Sequence, residues 1–179
     1  METEAEQRRY LRARNQAFPE APWNLDALRY LLGSPSWAAG TSYAAFSSDE
    51  VVGSVLVHWD PEENRRNGRH RGHTEDIYVL AGWRERGIAS YLSIRGLRYL
   101  RGSGLAKAQL QVGVENTGAL AIYERLGYRP RQEALLLALG IGYRRREWTP
   151  SPCPYLVLAG ISSSQGTPVW QRPQPTTST

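Results

Sequence analysis

The sequence predicts an α/β fold in which a mixed β-sheet is flanked by helices. Two apolar strands, Thr41 to Phe46 and Val51 to Trp59, are joined by polar turn residues and predict an antiparallel hairpin. Further along, a strand from Thr74 to Leu80, a helix from Ile88 to Arg101 and a strand from Leu105 to Val114 follow one another. Such a strand–helix–strand unit predicts parallel pairing with a right-handed crossover. A sheet that contains both kinds of pairing is mixed.

The bulk composition indicates one globular domain with a moderate positive charge. The chain has 179 residues, of which 41% are hydrophobic and 22% charged, with a net charge of +5. We expect a single domain over residues 1–161, with its core at 20–141. The charge suits an anionic cofactor and also suits nucleic acid. Because Cys153 is the only cysteine, an intrachain disulfide is excluded and a chelated metal is not expected.

The N-terminal part predicts two helices, over residues 4–17 and from Leu25 to Leu32. Asn24 is placed to cap the second helix, and the Gly33–Pro35 segment ends it. The acidic first residues lack the apolar segment of a signal peptide, and the longest apolar run, at 134–143, is too short to span a bilayer. We therefore expect a cytoplasmic protein, monomeric or homodimeric, with no membrane partner.

Two segments outside these elements are polar or low in apolar residues. Residues 60–72 carry four arginines and allow two interpretations, a solvated loop or a substrate-side loop that favours anionic partners. After a possible strand at 131–141 and a connection at 143–148, Tyr155 to Ile161 is compatible with a final strand of the sheet. Residues 162–179 are rich in Ser, Thr, Pro and Gln, and we expect a disordered tail.

The loop between the strand and helix of the parallel unit has the features of a phosphate site. The strand ends at Ile77 to Val79, and a helix begins near Ile88. The first N–H groups of a helix lack internal partners, and the helix dipole favours an anion there. Gly87 lets the backbone approach a ligand closely, and Arg84 and Arg86 add positive charge.

Two motifs in this part of the chain resemble the GCN5-related N-acetyltransferase (GNAT) family. Arg84-x-x-Gly87-x-Ala89 resembles the pyrophosphate loop of that family. A later helix matches the family pattern Asn-x-x-Ala-x-x-x-Tyr-x-x-x-Gly-Tyr, at Asn116, Ala119, Tyr123, Gly127 and Tyr128. The resemblance covers about residues 20–140. Members of the family normally begin with a strand before the first helix, and none is found here.

The resemblance implies a GNAT fold whose splayed parallel strand pair holds acetyl-CoA. The implied activity is transfer of acetyl from acetyl-CoA to a primary amine by direct attack in a ternary complex. In this family the backbone of the strand pairs with the pantetheine arm, which here involves Ile77, Tyr78 and Val79. The N–H near Val79 would polarise the thioester carbonyl. The pyrophosphate cradle would be formed by Arg84, Glu85, Arg86, Gly87, Ile88, Ala89 and Ser90.

The later helix supplies two further candidates. Asn116 contacts the cofactor in the family, and a plain helix cap is the alternative. Tyr123 follows seven residues later, two helical turns on, and therefore lies on the same face. By the resemblance its phenol donates a proton to the leaving thiolate. The alternative is a tyrosine packed in the core.

The general base is the remaining assignment. Alternation along a strand that ends at Val79 predicts that His73, Glu75 and Ile77 share a face with it. Glu75 is the preferred base, and His73, whose ordinary pKa suits the task, is the alternative. Gln111 stands where other members carry a glutamate and cannot act as a base. An amine that arrives neutral needs no base.

Two rival functions remain open at this stage. One is a catalytically degenerate protein of the same fold that binds CoA for regulation. The other is a basic nucleic-acid-binding module, which would bind DNA or RNA with strong salt dependence, although no recognition helix is found. The acceptor is also open: a small amine, an aminoglycoside-like drug, an amino acid or a protein N-terminus.

Overall fold

A computed structural model of the chain describes residues 1–136 and 153–161, with side chains described for residues 1–130. The expected connection at 143–148 and the expected tail at 162–179 lie outside these ranges. The described elements are, in chain order, α1 (Glu4–Ala17), α2 (Leu25–Leu32), β1 (Thr41–Ser47), β2 (Glu50–His58), α3 (Pro61–Arg66), β3 (Arg71–Val79), α4 (Ile88–Gly102), β4 (Lys107–Gly113), α5 (Thr117–Arg125), β5 (Tyr128–Leu136) and β6 (Cys153–Ile161).

The strands form one mixed sheet in the order β1-β2-β3-β4-β6-β5. Only β3 and β4 pair in parallel among the described strands, and the other neighbours are antiparallel. The parallel pairing covers Arg71–His73 against Lys107–Gln109 and ends there. Beyond those residues the two strands part, which confirms the predicted splayed pair. The predicted final strand, Tyr155 to Ile161, forms part of β6, which lies between β4 and β5.

Alternation along the central strand β2 divides the core into two halves. Val55 and Val57 face the apolar cluster under α4 and α5, and both are fully buried. Leu56 faces the cluster under α1 and α2. Helix α4 packs closely because it carries Gly96, where a Cβ atom would lie 2.8 Å from Cγ2 of Val57.

The helix starts follow the local sequence signals. Thr3 and Glu6 form a capping box at α1, and Asn24 accepts a hydrogen bond from the N–H of Ala27 at α2, as predicted. The segment 60–72 differs from the expected continuous loop, because it contains α3. Asp60 caps that helix and Pro61 is its first residue, a combination that favours helix initiation.

The ion pairs of this segment reduce its free positive charge. Arg65 lies 2.7 Å from Glu62, and Arg71 lies 2.6 Å from Glu63. Arg66 also lies 3.9 Å from Glu62, so three of the four arginines that suggested an anion-binding loop have acidic partners on α3.

A β-bulge interrupts β3 at Asp76. Between the pairs Leu56–Glu75 and Ser54–Tyr78, β3 has one residue more than β2. The bulged residue, Asp76, has a φ of 46°, in the left-handed region that non-glycine residues seldom adopt.

The bulge overturns the prediction that His73, Glu75 and Ile77 share one face of β3. Glu75 and His73 contact His58 on the side of α1 and α2. Ile77 packs against the cluster under α4 and α5, on the other side. A single inserted residue reverses the alternation of every side chain after it.

Candidate active site

The loop before α4 places unpartnered backbone N–H groups at an exposed helix start. Gly87 is the N-cap residue, no side chain caps this end, and the first helical hydrogen bond runs from the N–H of Tyr91 to the carbonyl of Gly87. The N–H groups of Ile88, Ala89 and Ser90 thus have no partner within the described part of the chain. The 15-residue α4 adds its dipole at this point.

The side chains of the loop leave this helix start open and positive. No acidic residue lies in the first turn of α4. Gly87 has a φ of 76°, and a Cβ atom there would meet nothing within 4 Å, so the position needs glycine for its backbone conformation rather than for space. Arg86 lies over the ring of Trp83 at 4.8 Å, and Glu85 also has a positive φ, 63°. A pyrophosphate fits such an open, uncapped helix start.

Arg84 makes a structural contact, and its predicted role in cofactor binding stays a prediction. Its Nε donates a hydrogen bond to the carbonyl oxygen of Val79 at 3.1 Å. The side chain therefore fixes the loop to the end of β3, next to the helix start. This contact joins the two predicted cofactor-binding segments.

The parting of β3 and β4 leaves an opening beside this loop. On one side, residues 74, 75, 78 and 79 of β3 pair with β2; on the other side, residues 74–79 have no partner strand among the described residues. Residues 110–113 of β4 pair with β6 on their far side. An extended chain with amide groups, such as a pantetheine arm, can bind in an opening of this kind as an added strand.

Two tyrosines pack against each other in the core, and one of them contacts Thr74, where the opening begins. Tyr128 is 1% exposed, and its hydroxyl lies 3.1 Å from Oγ1 of Thr74, the first residue after the parallel pairing ends. Burial raises the pKa of Tyr128 to about 12. Sequence reasoning matched Tyr128 to the motif but gave it no role.

Tyr123 meets Tyr128 edge to face, with ring centroids 5.8 Å apart. It is 6% exposed and belongs to the core cluster under α5, and burial raises the pKa of its phenol above the ordinary value of 10.0. Its hydroxyl therefore stays protonated at neutral pH. No hydrogen bond to this hydroxyl occurs among the described residues. The packing supports the core alternative, and the predicted catalytic role stays a prediction.

Asn116 is the N-cap of α5, as the alternative interpretation predicted. Its side-chain oxygen accepts a hydrogen bond from the N–H of Ala119 at 3.2 Å. A contact of Asn116 with the cofactor stays a prediction. Gln111, which stands where other family members carry a glutamate, is an exposed residue of β4.

The two candidate bases lie in a cluster with a third residue, His58, which sequence reasoning missed. The rings of His58 and His73 are stacked, with centroids 5.5 Å apart and planes 15° apart. The Nε2 atom of His58 lies 3.2 Å from Oε2 of Glu75, outside good hydrogen-bond geometry. His58 is 9% exposed and occurs at the end of an apolar strand, so only its pairing with His73 across the sheet reveals it.

The cluster lowers the pKa of both candidate bases. The contact with His58 lowers the pKa of Glu75, against an opposing effect of burial, and the carboxylate is half exposed. Burial and then the neighbouring His58 lower the pKa of His73 below its ordinary value. At neutral pH Glu75 is therefore a carboxylate and His73 a neutral imidazole. Both can accept a proton.

The chain is similar to known acetyltransferases in sequence and structure. The model of the acetyltransferase (GNAT) family matches residues 8–128. A mycothiol acetyltransferase of Segniliparus rotundus is 34% identical over 127 residues, which cover 66% of this chain and 46% of that protein. An N-alpha-acetyltransferase of Arabidopsis thaliana is 34% identical over 90 residues, covering 48% of this chain and 43% of that protein. The solved NatC complex bound to Gag peptide and CoA contains a chain with a TM-score of 0.67 at 18% identity, covering 89% of this chain and 92% of that one.

These matches confirm the predicted fold and family. The matched part spans less than half the length of both curated relatives. Within the described ranges, none of the helices has the length and apolar character that crossing a bilayer requires. The family match covers more than half of the chain and includes both motifs. The chain belongs to the GNAT family of acetyltransferases.

Proposed function

We propose that this chain is an N-acetyltransferase that transfers acetyl from acetyl-CoA to a primary amine by direct attack in a ternary complex. The observation that carries the proposal is the opening between β3 and β4, which adjoins the uncapped, positively charged start of α4. The names of the relatives support the activity, and the CoA in the NatC structure supports the cofactor.

The main chain of two segments would hold the cofactor. The N–H groups of the first turn of α4 would bind the pyrophosphate, with Arg84 and Arg86 at its side. The free edge of β3, at Ile77, Tyr78 and Val79, would pair with the pantetheine arm. Acetyl-CoA supplies the activated acetyl group as a thioester.

Tyr123 would assist departure of the thiolate. As the amine nitrogen bonds to the acetyl carbon, the carbon–sulfur bond breaks and negative charge develops on sulfur. The buried, protonated phenol of Tyr123 can donate a hydrogen bond or its proton there. Because burial raises the pKa of this phenol, Tyr123 is protonated at neutral pH and can donate a hydrogen bond to the sulfur.

Glu75 remains the proposed base, and His73 the alternative. The half-exposed carboxylate of Glu75 can reach an acceptor amine and can accept its proton directly or through a water. Since the contact with His58 lowers the pKa of Glu75, the carboxylate is a weak base and a constant anion. It can also attract a protonated amine to the opening.

An acceptor panel that follows release of free CoA tests the proposal. The panel would contain small primary amines, amino sugars, amino acids and peptides with free N-termini, each at several concentrations of acetyl-CoA. We expect CoA release and an acetylated product with at least one class. The regulatory alternative predicts acetyl-CoA binding by calorimetry without CoA release for any amine, and that result would reject the proposal.

A further inference from the structure

We propose that a buried ion pair between α1 and β3 holds the β-bulge, and that Arg14, Asp76 and Tyr10 are positioning residues for the transfer reaction. The inference rests on the proposed function for its catalytic consequence. Its structural part, the control of the bulge by α1, can be measured separately.

The carboxylate of Asp76 is held from three directions. Nε of Arg14 donates to its Oδ2 at 2.7 Å, Nη2 of Arg14 approaches Oδ1 at 3.4 Å, and the hydroxyl of Tyr10 donates to Oδ2 at 2.8 Å. These contacts act on a residue whose backbone has a φ of 46°. Because the left-handed region is unfavourable for a residue with a Cβ atom, surrounding contacts must hold it there.

Arg14 is itself fixed on every side. It is 5% exposed, and its Nη1 donates to the carbonyl of Ala21 at 2.7 Å. Its guanidinium lies 3.7 Å from the ring of Trp23 and 5.2 Å from that of Phe18. A planar guanidinium with this many partners has one orientation, so it defines the position of Asp76. Through Arg14, the bulge is tied to α1 and to the connection between α1 and α2.

The bulge determines two features of the candidate active site. It separates Glu75, on the α1 side, from Ile77, in the core under α4 and α5. It also leaves Asp76 and Ile77 without paired residues on β2, at the part of β3 where β4 has already turned away. The bulge therefore sets the orientation of the N–H and C=O groups of Asp76 and Ile77, which lie next to the predicted carbonyl-polarising N–H near Val79.

A relaxed bulge would misalign these groups. If the ion pair is lost, the bulge can rearrange, which moves the main chain at Asp76 and Ile77 and turns the side chain of Glu75. Misplacement of reacting groups by about 1 Å can lower rates by about a hundredfold. Tyr78 and Val79 keep their pairs on β2, and Arg84 keeps its hydrogen bond to the carbonyl of Val79, so the pyrophosphate loop stays in place.

Two variants test the proposal in the full chain. Asp76→Asn keeps the shape and the tolerance for positive φ but removes the charge, whereas Tyr10→Phe removes one hydrogen bond. Turnover, the KM for acetyl-CoA and hydrogen–deuterium exchange of β3 would be measured for each. We expect kcat to fall at least about tenfold for Asp76→Asn and less for Tyr10→Phe. The KM for acetyl-CoA should rise by a smaller factor than kcat falls, because only Ile77 of the cofactor-binding segment lies in the bulge, and exchange should accelerate in β3.

Thr3→Ala is the control. Thr3 caps α1 by accepting a hydrogen bond from the N–H of Glu6, at the end of the helix opposite to Arg14. It should lower the melting temperature and leave both kcat and β3 exchange unchanged. Folded Asp76→Asn and Tyr10→Phe proteins with wild-type kcat and wild-type β3 exchange would overturn the proposal. If the wild type releases no CoA with any amine, the proposed function fails, and the exchange measurement alone decides whether α1 holds the bulge.

Discussion

At the scale of single residues, the cluster of His58, His73 and Glu75 distinguishes the two candidate bases by pH. Both have lowered pKa values, but they begin from ordinary values of 6.5 for His73 and 4.5 for Glu75. Activity that depends on Glu75 as base should decline below pH 4.5. Activity that depends on His73 should decline at a higher pH, below 6.5.

Glu75→Gln should lower kcat/KM at neutral pH and recover part of it at high pH, where the amine loses its proton without help. The physical reason is that the amide keeps the shape of the side chain but cannot accept the proton. The pH profile of kcat/KM for this variant, beside His73→Gln, is the measurement. Recovery at high pH in His73→Gln and not in Glu75→Gln would assign the base to His73.

Tyr123→Phe should lower turnover at least about tenfold, with acetyl-CoA affinity nearly unchanged. Because no described residue bonds its hydroxyl, the change should cost little stability. Tyr128→Phe is the matched control, since it leaves Oγ1 of Thr74 without its partner at 3.1 Å and should cost about 1 kcal/mol of stability with a smaller loss of turnover. Steady-state kinetics and thermal melts check both. Equal turnover of Tyr123→Phe and wild type would assign Tyr123 to the core alone.

At the scale of elements, the loop before α4 contains two glycines that differ in whether the backbone conformation requires glycine. Gly87 and Gly82 are both exposed, and a Cβ atom at either would meet nothing within 4 Å. Only Gly87, at the N-cap of α4, has a positive φ. The two glycines therefore form a matched pair for substitution.

Gly87→Glu should abolish measurable acetyl-CoA binding, because it places a carboxylate and a strained backbone at the N–H groups of α4. Gly82→Glu adds the same charge to the same loop without the strain and away from the helix start, so it should weaken binding less. Gly87→Ala adds the backbone strain without the charge, so its acetyl-CoA affinity should lie between those of the wild type and Gly87→Glu. Calorimetric titration of the folded variants with acetyl-CoA measures these affinities. Wild-type affinity in Gly87→Glu would show that this loop does not bind the pyrophosphate.

At the scale of the whole molecule, the same cluster couples folding to pH. Because the pKa values of His73 and Glu75 are lower in the fold than in the unfolded chain, the unfolded chain binds more protons as the pH falls. Their contribution to stability is complete above about pH 6.5 and is lost on acidification, first through His73 and then, below pH 4.5, through Glu75.

His73→Gln should therefore flatten the dependence of stability on pH just below 6.5 and leave the loss below 4.5 in place. Urea denaturation at a series of pH values measures this directly. Glu75→Gln is the opposite control, because it should change the dependence of stability on pH only below pH 4.5. A slope just below pH 6.5 that is the same in His73→Gln and wild type would show that His73 does not have a lowered pKa in the fold.

The sequence by itself determined the family, the order of the elements apart from α3, and the glycine-bearing loop before α4. Each of these depends on signals that lie close together in the chain. Asn24 and Asn116 cap their helices, Gly87 marks the start of α4, and the two motifs are read from contiguous residues. Helix caps, helix starts and contiguous motifs depend on the backbone preferences of neighbouring residues, so they can be predicted without knowledge of the fold.

Only the tertiary structure decided how the site is arranged. The bulge at Asp76 follows from pairing between β2 and β3 and from Arg14, 62 residues earlier in the chain. The same pairing brings His58 onto His73 and separates Glu75 from Ile77. Strand register is fixed by burial and by contacts between distant segments, and one inserted residue reverses the side-chain directions that follow it. Alternation along β3 alone therefore predicted the wrong face for Ile77, because nothing local to that strand specifies the contact that bends it.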